Sequence, residues 1–174
     1  MTEVTDRPTT TVKSTVDTAP MDTSMGFSEI KQWLRHRHPM IYIDRVLDHE
    51  PGVRFRSLMA VSGTMDAIAG HFPERAIFPG SHLLQAFAQS GIIFYQLSTS
   101  KLAEDELTLI GSAQSRFLRP VVPGDVVIFD LRCDKLYGSS FHFSCRATVD
   151  GRAVAAFRGS LVRTNVADLG RQLW

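Results

Sequence analysis

Little in this chain suggests a covalent scaffold, a strong electrostatic field or a membrane anchor. Two cysteines among 174 residues, Cys133 and Cys145, are too few for a disulfide framework. They flank a turn-like Tyr137-Gly138-Ser139, which puts them on neighbouring strands. Two buried free thiols are expected, as in a reducing compartment, and their spacing is not that of a zinc site. Basic residues number 19 and acidic ones 18, so the net charge of +1 gives no global field for nucleic acid or an anionic membrane. The longest apolar stretch, near Ile92 to Leu97, is far short of the roughly 18 residues a membrane span needs. Met1 to Asp6 has no basic start followed by an apolar run, so no secretory signal is expected and a cytoplasmic location is.

What is present is a chain 44% hydrophobic, enough for one core. Residues 1–24 are rich in Thr, Asp, Ser and Pro with little to bury, and predict a disordered leader ahead of one domain over 25–174. Ser28 followed by Ile30, Trp33 and Leu34 reads as a short capped amphipathic helix ending before Pro39. Met40 to Leu47 and Val53 to Val61 read as strands separated by Pro51-Gly52. Gly80 to about Ser98 predicts the principal helix, apolar on nearly all sides and therefore buried on nearly all sides. Leu107–Ile110, Ser115–Leu118, Val126–Leu136, Phe141–Val149 and Ala153–Val162 are further strand-like runs. One central helix with several antiparallel strands makes an α+β domain.

Three blocks stand out. His36-Arg37-His38-Pro39 precedes Ile43-Asp44-Arg45-Val46. Gly70-His71-Phe72-Pro73 leads through Ile77-Phe78-Pro79-Gly80 to Gln85-Ala86-Phe87-Ala88-Gln89. Arg116-Phe117 leads to Arg119-Pro120-Val121-Val122-Pro123-Gly124-Asp125. Together these resemble the β-hydroxyacyl-carrier-protein dehydratases of fatty-acid and polyketide synthesis, over about Leu34 to Val162. The resemblance implies a hot-dog fold, an antiparallel sheet wrapped around a long central helix. It also implies a dimer, homo- or heteromeric and possibly built into a hexamer, with each site shared between protomers. No metal or resident cofactor is implied; the substrate arrives on the phosphopantetheine of an acyl carrier protein.

Dehydrating a 3-hydroxyacyl thioester needs a base for the C2 proton and an acid for the departing hydroxyl. It also needs a donor for the carbonyl oxygen as charge develops there. By resemblance His71 is the base and the Gly80 backbone N–H, at a helix N-terminus, is the donor. The family's acid falls fourteen residues after the histidine, where this chain has Gln85. An amide cannot deliver a proton at neutral pH. Four readings follow: pairing with a related subunit that keeps the acid, isomerase chemistry that spares the hydroxyl, thioesterase chemistry, or a non-catalytic carrier-binding scaffold.

His82, one turn before Gln85, is a candidate substitute donor or substrate contact. Gln89, four residues beyond Gln85, could orient its amide, and Phe78 and Phe87 could line an acyl tunnel as readily as pack a core. Arg35, Arg37, Arg116 and Arg119 could form a basic rim for the carrier's phosphate, with scattered solvated arginines as the alternative. His36 and His38 lack the companions that a metal site needs.

Overall fold

A computed structural model describes residues 23–72 and 74–171. Most of the expected leader, and Pro73, lie outside the described residues. Thr23 is already engaged, its hydroxyl accepting the His49 N–H at 3.1 Å, and Met25 bridges Val46.

Helix α1 spans Phe27–Trp33. Its N-terminus is closed by the Glu29 carboxylate accepting the Gly26 N–H at 2.9 Å, so Ser28 lies inside the helix and does not cap it. At the other end Arg37 donates to the carbonyls of Leu34 and Lys31, satisfying groups the last turn leaves free. Strands β1 (Arg45–Glu50) and β2 (Arg54–Ala60) form a hairpin. The strand expected over residues 40–47 therefore begins at Arg45. The apolar residues before it owe their pattern to burial, since Tyr42 is 9% and Ile43 0% exposed, not to ladder pairing.

Strands β3 (Glu106–Phe117), β4 (Val126–Tyr137), β5 (Ser140–Val149) and β6 (Arg152–Asn165) complete one antiparallel sheet in the order β1-β2-β4-β5-β6-β3. The two short strands expected around residues 107–118 are one strand, β3. A register shift between Ile110 and Ser112 hid its continuity. Helix α2 (Asp66–His71) was not anticipated; α3 occupies Gly80–Ser98, as its apolar run predicted. Cys133 and Cys145 are free and lie on neighbouring strands, opposite Phe143 and Leu131 respectively.

The sheet curls around α3. Alternate residues of the long strands turn inward, among them Phe55 and Met59, Phe129 and Leu131, and Phe141 and Phe143. A ring stack ties helix to sheet: Phe87 lies 4.6 Å from Phe143 and 5.1 Å from Phe157, and Phe94 sits 5.1 Å from Phe141, centroid to centroid. Gly91 permits this approach, because a Cβ there would fall 2.2 Å from the Phe143 ring. At the outer edge β3 pairs only with β6 and presents exposed Leu109, Ile110 and Phe117.

Candidate active site

His71 is the last residue of α2, where the chain turns extended at Phe72. Its Nδ1 lies 2.9 Å from the Ile77 carbonyl oxygen. A carbonyl only accepts, so Nδ1 carries the hydrogen and Nε2 is left with a free lone pair. The loop between is held by Arg75 N–H to Phe72 O and Ile77 N–H to Arg75 O, and by Phe78 N–H to Val121 O. In that tautomer Nε2 is the nitrogen able to accept a proton.

Pro79 caps α3 in extended conformation and Gly80 opens the helix. His82 and Leu83 donate back to the Pro79 carbonyl, whereas the Gly80 N–H has no acceptor among the described residues. It is one of the orphan donors at a helix's positive end. The helix start lies close against the third block, since a Cβ at Gly80 would stand 2.9 Å from the Phe117 ring and require that ring to shift. The third block thus reaches the second through Phe117.

Gln85 is half-buried, and its amide makes no hydrogen bond among the described residues. It makes none with His71 of the same chain. His82 stacks on Tyr42 at 5.1 Å and packs 5.9 Å from Phe78. Burial holds its imidazole below the usual value of 6.5, and the His71 charge adds to the effect. The resident ring is therefore neutral at neutral pH, which disfavours its acting as an imidazolium acid.

One expectation is corrected, and two that were left open are narrowed. Gln89 does not orient Gln85: it is fully buried, accepts the Tyr42 N–H at 2.9 Å and donates to the Met40 carbonyl at 2.5 Å. Both ends of its amide hold the 40–42 segment, which has no ladder partner for those groups. Phe87 is sandwiched between Phe143 and Phe157 in the core. Phe78, 2% exposed, packs against Tyr42 and His82 and faces no open space. Nor do the arginines form one rim. Arg35 donates to the carbonyls of Ala103 and Glu104, and Arg37 to those at the end of α1. Among the described residues no group of three or more His, Cys, Asp or Glu could hold a metal ion, and no helix is long and apolar enough to cross a membrane.

The sequence reading missed Tyr42 and Ala67. They help line a cleft of about 450 Å³ between the 38–42 segment and α2, with His82 also in its lining. Tyr42 and His82 are 40 positions apart, so no local pattern announced their stacking.

A curled antiparallel sheet around one buried helix, with a histidine beside that helix's N-terminus, defines a hot-dog protein. The fold recurs in the dehydratase heterocomplex ApeI:P of Xenorhabdus doucetiae, with a TM-score of 0.68 at 14% identity over 80% of this chain and 93% of that one. A hot-dog-like protein of Thermanaerovibrio acidaminovorans matches with a TM-score of 0.56 at 21% identity, over 68% and 86%. Residues 34–158 match the FabA-like domain, and the chain belongs to that family. It is 68% identical over 151 residues to the coronafacic acid dehydratase of Pseudomonas savastanoi pv. glycinea, covering 87% of this chain and 92% of that protein. It is 36% identical over 133 residues to the 3-hydroxyacyl-[acyl-carrier-protein] dehydratase FabZ of Colwellia psychrerythraea, covering 76% and 89%.

Proposed function

We propose that this chain dehydrates 3-hydroxyacyl thioesters carried on acyl carrier protein, in a cytoplasmic fatty-acid or polyketide pathway. The observation that carries the reading is His71, whose Nδ1–H is committed to Ile77 O and whose Nε2 is therefore the base. Nε2 removes the C2 proton, and the Gly80 N–H steadies the thioester oxygen as charge builds there. The C3–O bond then breaks, and the departing hydroxyl must gain a proton to leave as water. Gln85 has none to give.

That proton comes from a related subunit whose protonated carboxyl faces His71 across a dimer interface. Two features support a second subunit. Edge strand β3 is twelve residues long with exposed apolar side chains, a surface that proteins usually pair or cover. Gln85 finds no hydrogen-bond partner among the described residues of its own chain. Carrier protein, dimer and any higher assembly are part of the same proposal.

The test is turnover of 3-hydroxyacyl carrier protein by wild type, Gln85→Glu and His71→Ala, each alone, with native mass measured for every sample. Wild type is expected to be slow, and Gln85→Glu faster by about 10²–10⁴-fold, the usual worth of a general acid. Wild type matching Gln85→Glu as a homo-oligomer sinks the partner requirement. His71→Ala turning over like wild type sinks the dehydratase assignment.

A further inference from the structure

The cleft beside α2 has no part in the dehydration step as derived, yet it shares a wall with the base. Asp66 and Ala67 of α2 line it with Thr64, His38, Tyr42 and His82, within about 450 Å³. His71 terminates the same helix that supplies Asp66 and Ala67.

Of the polar side chains that line this space, His38, Thr64 and Asp66 are exposed and His82 is the half-buried one. Its Nδ1 is buried with no hydrogen-bond partner among the described residues, while Nε2 also has none among them and is not buried. A buried N–H without an acceptor is rarer and costlier than a buried lone pair, so the hydrogen sits on Nε2. The ring is also held in place. It stacks on Tyr42, and the Tyr42 backbone is pinned by the buried Gln89 amide. His82 therefore presents a preorganised neutral donor to whatever enters.

We propose that this cleft is an acyl subsite for a chain bearing a neutral oxygen, a carbonyl or hydroxyl that accepts from His82 Nε2–H; it rests on the thioester reading above. A plain hydrocarbon filling the cleft would cover that N–H and give it no acceptor. A carboxylate would meet the exposed Asp66 at the mouth. Ala67 leaves the room that a larger side chain would take.

Three six-carbon pantetheine amides separate these cases by calorimetry on the full chain: unsubstituted, 5-oxo, and terminally carboxylated. The 5-oxo amide is expected to bind about tenfold tighter than the unsubstituted one, as for one net hydrogen bond, and the carboxylate no tighter. His82→Leu keeps the packing against Tyr42 and should equalise the first two. Ala67→Phe should weaken the 5-oxo amide at least as much. Equal affinities in wild type, an unchanged ratio in His82→Leu, Ala67→Phe without effect, or no measurable binding of any amide would each overturn the subsite. Discrimination among amides without turnover of any thioester would instead leave the subsite standing and remove the dehydratase reading.

Discussion

In the last turns of α3, Gln89, Ser90, Gln96 and Ser98 are all tied down. Gln89 bridges Met40 and Tyr42. Ser90 bonds Ser57 Oγ at 2.8 Å and the Ala86 carbonyl at 2.9 Å. Gln96 donates to Trp33 O at 2.7 Å and accepts from Leu102 N–H at 3.0 Å, and Ser98 bonds Phe94 O and Gly52 N–H. In the first turns the Gly80 N–H, His82 Nδ1 and the Gln85 amide have no partner among the described residues. Buried polar groups are normally satisfied, so one end of the helix is built for stability. At the other end, on the proposed reading, groups are left for a substrate or a second subunit. Chemistry gathers where the fold declines to complete its own hydrogen bonds.

The sharpest way to separate the two ends is to remove a group from each. His71→Ala should lower kcat/KM by about 10²–10⁴-fold and move stability by no more than about 1 kcal/mol, the worth of one net hydrogen bond. A steady-state assay and urea melts on one preparation check both halves. Gln89→Leu should do the reverse to the scaffold, costing about 1–3 kcal/mol for the buried Tyr42 N–H left unpaired and less for the part-buried Met40 carbonyl. Unchanged urea midpoints would show that the 40–42 segment does not depend on that amide.

Gly91→Ala tests the well-packed half through shape alone. With the new Cβ 2.2 Å from the Phe143 ring, it should destabilise by about 1–3 kcal/mol through overpacking, despite alanine's better helix propensity. The smallest effect is on pH dependence. His36, His49 and His82 all have folded pKa values below 6.5, each chiefly through burial. Above that value both folded and unfolded rings are neutral and contribute nothing to a difference. As pH falls below it, the unfolded chain binds protons the folded one refuses, so stability declines until the folded values are passed. Melting temperature should therefore drop gently from pH 7.5 to 5, and His82→Leu should drop less.

Legibility in the sequence followed burial. Helix α3, β2, β4 and β5 were recovered because each packs against the core in a regular way, and its side chains record that period. Strand β3 was split because most of its residues are exposed in this chain and its register shifts near Gly111. Helix α2 escaped because six residues containing Gly70 carry too little periodicity to show. The site was legible as residue types at fixed spacing, His71, Gly80 and Gln85, and its supporting parts were not. Gln89 looked like a neighbour of Gln85 on a helix face; only the path of residues 40–42 made it a clamp.

By itself the sequence determined that a buried helix starts at Gly80, that a histidine stands nine residues before it, and that residue 85 carries an amide. Those are facts of local pattern and side-chain chemistry, independent of what lies across space. Only the tertiary structure decided the His71 tautomer, the closeness of Phe117 to Gly80, and the stacking that holds His82 in the lining of a cleft. Each depends on groups brought together from distant stretches of chain. A hydrogen bond or a ring contact acts over a few ångströms of space, whatever the number of residues between its partners.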